Sequence, residues 1–248
     1  MADDRGMVTA MSRLCHVLIL SSVLCPLSSA PAYAAPPTSV QLTYDVYKGS
    51  LKIGQIEESY TREKDRYSLI STTRAVGLLE IFKPGRIIIS SSGLIGAKGL
   101  QPLRFSDRRE GEERRNRSAD FDWEAHQLTL IHQEERTVLP LPNNTQDRLS
   151  AMYQFMFLSL HPGGSLDFPM TNGGKLDHYH YAVARKQKLS TPAGDFDTLY
   201  LENQPGKGES KTEIWLATEQ HNLPFKMTVT DADGGQLTQL LSKLSVSP

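Results

Sequence analysis

From Val40 onward, apolar and polar positions alternate. Val40, Leu42, Tyr44 and Val46 fall against Gln41, Thr43, Asp45 and Tyr47. Successive side chains of an extended strand point to opposite faces, so a period of two predicts a strand with one face in a core and one in water. Gly49-Ser50 and the apolar positions of 51–62 then predict a hairpin. Leu51 and Ile53 share a parity that Ile56 breaks, with Gly54 between them, which predicts a bulge.

Further strands are expected at 66–76, 86–92, 101–107, 115–122, 127–133, 136–140, 174–188, 196–203, 210–217, 224–231 and 236–244. Among the last of these, Phe225, Met227 and Val229 alternate with Lys226, Thr228 and Thr230 before the turn Asp231-Ala232-Asp233-Gly234-Gly235. Leu78 to Phe82 predicts one short helical turn, stopped by Pro84 and Gly85. Most connections are hairpin-short, so the sheet is expected to be mainly antiparallel.

Only one segment has a helical period. Leu149, Met152, Tyr153, Met156 and Leu160 recur at helical spacing after Asn143-Asn144-Thr145, any of which could cap, and His161-Pro162-Gly163-Gly164 ends the run. Phe155, Phe157 and Leu158 lie off that stripe, so this helix is apolar round most of its surface and is expected to be covered on more than one side.

Size now constrains architecture. Ten or so strands at ~4.8 Å spacing make a sheet roughly 48 Å across, and a helix of about 14 residues is only about 21 Å long. Such a sheet must curl, close, fold over or leave an apolar concave surface. The fold class expected is mainly β: a strongly curled antiparallel sheet, an incomplete β-barrel, with one main α-helix across its mouth. An interior of that kind is either filled by its own side chains or open to an apolar or amphipathic ligand. Met152, Tyr153, Met156, Tyr179, Tyr181, Trp215 and Phe225 are the candidate ligand-binding residues.

Charge changes the picture little. Lys and Arg number 27 against 28 Asp and Glu, a net charge of −1, which argues against nucleic-acid binding that depends on net positive charge. Arg13, the apolar stretch from Leu14 to Leu27 and Ala32-Tyr33-Ala34 have the form of a cleavable export signal. The apolar stretch falls short of the roughly 20 residues that a membrane span needs. Residues 1–34 are therefore expected to be a signal peptide cleaved after Ala34, 35–39 a linker and 40–248 a single β-rich domain in the periplasm. Cys15 and Cys25 are the chain's two cysteines, and both lie in the signal. The exported chain is expected to carry neither a disulfide nor a Cys-ligated metal.

Little in the chain points to catalysis. His178 and His180, two apart on an expected strand, share a face and form a weak metal candidate without an identified third ligand. Ser150 and Ser165 are the serines most worth testing as nucleophiles, but neither stands in Gly-x-Ser-x-Gly, and capping and turn roles account for both. Gly93-x-x-Gly96-x-x-Gly99 lacks the Lys-Ser/Thr ending of a phosphate loop and reads as turns. Arg104, Arg108, Arg109, Arg114, Arg115 and Arg117 are interspersed with Asp107, Glu110, Glu112 and Glu113, the pattern of a solvated hairpin tip, with contact to a headgroup or anionic polymer as the alternative. No catalytic residue and no cofactor is expected.

Several short motifs recur together along the chain. They are Tyr44-x-Val46-x-x-Gly49-x-Leu51-x-Ile53-Gly54, Gly99-Leu100-x-Pro102-x-x-Phe105, Phe121-Asp122-Trp123 and Asp147-x-Leu149-Ser150. Toward the C-terminus follow Thr191-Pro192-x-Gly194-x-Phe196-x-Thr198, Ile214-Trp215-Leu216-Ala217 and Leu223-Pro224-x-Lys226. In these the chain resembles the exported bacterial proteins of domain-of-unknown-function family 3108. The resemblance implies an envelope-facing β-rich protein and carries no catalytic residues to transfer. A looser similarity, of architecture alone, is to the half-barrel that carries lipoproteins across the periplasm. The expected function is a non-enzymatic binder of a lipid, acyl chain or hydrophobic segment. The alternatives are an envelope assembly or structural protein engaging a protein partner, and, less favoured, a hydrolase.

Overall fold

The computed structural model describes residues 36–77, 80–81, 85–206 and 208–247. The expected export signal and its expected cleavage point lie outside these residues, as does most of the short turn expected at 78–82, of which Glu80 and Ile81 are helical.

Among the described residues fifteen strands form one sheet. The first eight are β1 (Ser39–Lys48), β2 (Leu51–Glu63), β3 (Arg66–Ala75), β4 (Ile87–Gly96), β5 (Gly99–Arg109), β6 (Arg117–Asp122), β7 (Gln127–His132) and β8 (Glu135–Pro140). After β9 (Gln146–Asp147) and helix α1 (Ser150–Gln154) come β10 (Ser165–Thr171), β11 (Leu176–Thr191), β12 (Gly194–Asn203), β13 (Lys211–Ala217), β14 (Leu223–Thr230) and β15 (Gln236–Ser247). Each half of the chain is a meander, and the first and last strands join the halves by pairing antiparallel from Ser39↔Ser247 to Lys48↔Leu237. The order runs from β8 at one end to β9 at the other and does not close. All pairings are antiparallel except that of β9 with β10.

The bulge lies where the parity break places it. Val46 faces Gly54 and Tyr47 faces Lys52, so Ile53 is the extra residue. Strand β10 is not among the expected strands. Leu166, Phe168 and Met170 do alternate with Ser165, Asp167 and Pro169, but Pro169 obscures the pattern. It is tolerated because β9 reaches only Met170 and Thr171, which leaves residues 165–169 as a sheet edge.

The helix is much shorter than the expected run from 149 to 160. It covers Ser150–Gln154, tightens into a 3-10 turn at Phe155–Phe157 and is extended by Leu158. Its start is set by Asp147 rather than by residues 143–145. The Asp147 carboxylate accepts the N–H groups of Leu149 (2.9 Å) and Ser150 (2.8 Å), and Ser150 Oγ accepts the Asp147 N–H (2.9 Å). At the other end, Asn222 Nδ2 donates to the carbonyls of Phe155 (3.4 Å) and Leu158 (3.3 Å), drawing the chain away from the helix axis. The segment works as a wedge between two cores. Leu149, Tyr153 and Met156 pack with β1–β3, Leu223 and Phe225, whereas Phe155 packs with Tyr181, Leu201, Ile214 and Leu216. A third cluster, around Phe105, Phe121, Leu128 and Leu130, fills the end of the sheet near β8.

Of the three glycines that superficially resemble a phosphate loop, Gly93 and Gly99 serve close packing instead, whereas a Cβ at Gly96 would meet nothing within 4 Å. A Cβ at Gly93 would lie 2.1 Å from the carbonyl oxygen of Gln101. Gly99 has φ +100°, and a Cβ there would meet Gln154 Oε1 at 2.5 Å and Phe157 Cβ at 2.8 Å. Gly99 thus lets the β4–β5 turn dock on α1. Gly99→Ala is expected to lower stability by about 2 kcal/mol, through backbone strain and overpacking, measured by urea unfolding.

Candidate functional site

A cavity of about 660 Å³ lies where the β4–β5 turn, α1, residues 143–146 and the open edge of β10 meet. Leu100, Phe155, Phe157, Leu158, Leu166 and Phe168 supply most of its apolar wall, with Trp123 at one side. The polar groups that line it are mainly neutral amides: Gln101, Asn143, Asn144, Gln146 and Gln154. Lys98 and Asp167 are its charged members.

Much of this wall is fixed by hydrogen bonds. Gln154 Oε1 accepts the Leu100 N–H (2.7 Å) and its Nε2 donates to the Lys98 carbonyl (2.7 Å), which clamps the β4–β5 turn to the helix. Gln146 Nε2 donates to the Leu100 carbonyl (2.9 Å), while its Oε1 is buried without a partner. Trp123 Nε1 donates to the Pro102 carbonyl (2.7 Å). Such a site is pre-formed, which limits the ordering cost of binding.

Behind the cavity lies a buried polar chain. Tyr67 OH and Ser91 Oγ are 3.0 Å apart, and Ser91 donates to Asp147 Oδ2 at 2.5 Å. Burial pushes the Asp147 carboxyl up to about 6, against the lowering effect of Ser91, Leu149 and Ser150. Glu58 is half-buried and raised by desolvation, with Ser71 Oγ and Tyr153 OH each donating to it at 3.0 Å. Ser150 is fully buried and engaged with Asp147, so it stands as a capping residue, and Ser165 is exposed on β10.

The seven residues expected to bind ligand do not converge on the cavity, and none lines it. Tyr153, Met156 and Phe225 lie in the first core. Tyr181 is in the second, with Tyr179 against it, and Met152 touches both. Trp215 is half-buried, with Tyr200 at 5.1 Å and Lys226 Nζ 4.2 Å from its ring centroid. Gln146, Gln154, Phe157 and Leu166 line the cavity without being among the candidate ligand-binding residues, although a lone Gln154 inside an apolar run is an available signal.

His178 and His180 are exposed on β11 and face Asp167 of β10, at 3.4 and 3.6 Å from its two oxygens. Among the described residues no group of three His, Cys, Asp or Glu side chains is arranged to hold a metal ion. The arginine-rich stretch is not uniformly solvated as a hairpin tip would be. Arg104, Arg108, Arg114 and Arg115 are exposed, whereas Arg109 and Arg117 are half-buried. Among the described residues no helix is long and apolar enough to cross a membrane.

No protein in the curated comparison matches the chain. Among solved structures, one described provisionally as a lipoprotein, from Parabacteroides distasonis ATCC 8503, is 9% identical with a TM-score of 0.38, over 85% of this chain and 97% of that one. Another, described provisionally as an exported protein with a YmcC-like fold, from Bacteroides fragilis NCTC 9343, is 8% identical with a TM-score of 0.33, over 83% and 95%. Likeness at that level carries no argument about function. The family model described as a protein of unknown function, DUF3108, matches residues 43–242, and the chain belongs to that family.

Proposed function

We propose that this is a non-enzymatic periplasmic protein that holds one apolar or amphipathic ligand, an acyl chain or a hydrophobic segment, in the cavity between α1 and β10. The observation that carries the reading is the cavity itself. Its volume of about 660 Å³ falls in the range of a single small-ligand site, roughly 300–1,000 Å³, and its wall combines aromatic and aliphatic side chains with a few fixed amides. Curling of the sheet into a half-barrel belongs to the same proposal. The two terminal strands are joined by residues 141–145, a connection that reaches roughly 20 Å. A flat sheet of fifteen strands would separate its ends by about 65 Å.

Periplasmic residence, a signal cleaved after Ala34 and a single domain from residue 40 are parts of this reading, supported by the sequence of residues 11–34. A second reading, that of an envelope assembly factor, is favoured by one observation. The edge of β10 at residues 165–169 is covered by no other strand among the described residues and borders the cavity, so an extended segment of a partner could add there as a strand.

Native mass spectrometry of protein recovered from its own periplasm, followed by lipid extraction, tests the proposal. A co-purifying acyl species supports carriage, and a clean apo mass with a captured polypeptide supports strand addition. Ala97 is exposed and lines the cavity. Ala97→Trp is expected to displace a fluorescent fatty acid, weakening it about tenfold or more, with an unchanged unfolding midpoint. Undiminished binding would count against this cavity as the site.

A further inference from the structure

A second polar feature lies on β5 and β6. Asp107 of β5 is buried, 3% exposed, and Arg117 of β6 stands directly opposite it in register, so the two share a face. Arg109, two residues along the strand, shares it too. Arg148 arrives from the chain just after β9. Its Nη2 lies 3.1 Å from Asp107 Oδ2, and Arg109 Nη2 lies 3.6 Å from the same oxygen. Arg117 is packed in place by the turn after β10, where a Cβ at Gly174 would fall 2.8 Å from its Nη1. That turn is itself fixed, because Asn172 Oδ1 accepts the N–H groups of Gly174 (2.9 Å) and Lys175 (3.2 Å).

Two guanidiniums therefore meet one carboxylate, and a third, that of Arg117, lies on the same face within electrostatic reach of Arg148. Asp107 engages Arg109 and Arg148 through Oδ2 alone, and its Oδ1 is buried without a hydrogen-bond partner. The Nε groups of Arg109 and Arg148 are likewise buried and unpartnered. Asp147 is within electrostatic reach of Arg148, but its carboxylate is engaged by Ser91 and the backbone of Leu149 and Ser150. Burial lowers the Arg148 guanidinium from its ordinary value despite Asp107, and Arg109 and Arg117 add to the depression.

Excess positive charge in a partly dry site is unfavourable unless an anion joins it. The side chains of Arg148 and Arg109 retain 33% and 20% of their exposure, so their forks are within reach of a ligand, with Asp107 as the brace that orients them. Planar guanidinium forks match phosphate oxygens in two-point contacts that an ammonium cannot make. We propose that Arg109, Arg117 and Arg148 form a binding site for a phosphate group, either free or carried by a lipid headgroup. The proposal does not depend on what fills the cavity at α1.

Calorimetric titration with inorganic phosphate at low ionic strength, together with flotation on phosphatidylglycerol vesicles and on phosphate-free glycolipid vesicles, tests it. Wild-type protein is expected to bind phosphate, phosphatidylglycerol vesicles or both, and not the glycolipid. Binding to the vesicles alone assigns the headgroup as the source, and binding to phosphate alone assigns the free ion. Arg148→Lys keeps the charge beside Asp107 but removes the fork, and Arg117→Gln removes a charge from the site. Each is expected to weaken binding about tenfold, the effect of losing a charge-assisted hydrogen bond. Should Arg117→Gln fail to fold by circular dichroism, Arg148→Lys decides alone. Absence of binding to every phosphate probe, or unchanged affinity in the folded variants, overturns the proposal.

Discussion

Asp147→Ala is expected to lower stability by about 3 kcal/mol at neutral pH, because three donors lose their acceptor together: the N–H groups of Leu149 and Ser150, and Ser91 Oγ. The pH dependence separates this role from mere packing. Asp147 has an ordinary value of 3.8 and is pushed up to about 6 in the fold by burial. A group raised on folding favours the folded state fully below its unfolded value and loses that contribution as pH rises through its folded value. Asp147 is therefore expected to add roughly 3 kcal/mol of stability at pH below 3.8 relative to pH above 6, lost across that window. Glu58, also raised by desolvation, contributes with the same sign. Asp147→Asn keeps an oxygen for the two backbone donors and offers Ser91 an N–H, without a charge to bury. It is expected to match or exceed wild type at pH 8 and to flatten the slope between pH 4 and 6 in urea unfolding. A variant that retained the wild-type slope would show that another group sets it.

How much of this was legible in the sequence depends on the range of the interaction. Alternation along Val40–Val46 and Phe225–Val229 fixes which side chains share a face, and the parity break at Gly54 locates the bulge one residue away, at Ile53. Those are local facts. The helix reads longer in the sequence than it is because the spacing of Leu149, Met152, Tyr153 and Met156 is satisfied by a longer helix, whereas the chain tightens at Phe155–Phe157 and its end carbonyls meet the side chain of Asn222, more than 60 residues on. The cavity is not legible at all. Its wall comes from five separate segments, and it borders the stretch of β10 that β9 leaves unpaired. Parity tells which face a residue takes, but not which neighbour is missing. The arginine run illustrates the same limit, since Arg108 and Arg109 differ by one position and only the second turns toward Asp107.

Tyr153 tests the boundary between core and site most sharply. By sequence it is a candidate ligand contact; in the fold it is fully buried, its ring stacked on Tyr60 at 5.7 Å and its hydroxyl donating to Glu58 Oε2 at 3.0 Å. Tyr153→Ala removes an aromatic side chain from the first core and leaves the half-buried Glu58 with Ser71 as its remaining hydrogen-bond donor. The expected loss is about 4 kcal/mol, or about 12 °C in Tm for a chain of this size. Tyr153→Phe keeps the ring and isolates the hydrogen bond, so its cost is expected near 1–2 kcal/mol. With the hydroxyl gone, the Glu58 carboxyl is expected to rise further, because a donor that favours its charged form has been removed. Ala97→Trp is expected to do the reverse, sparing Tm while blocking the cavity. If instead Tyr153→Ala left Tm unchanged and abolished ligand binding, the ligand would sit between α1 and β2, and the cavity beside β10 would be the wrong place to look.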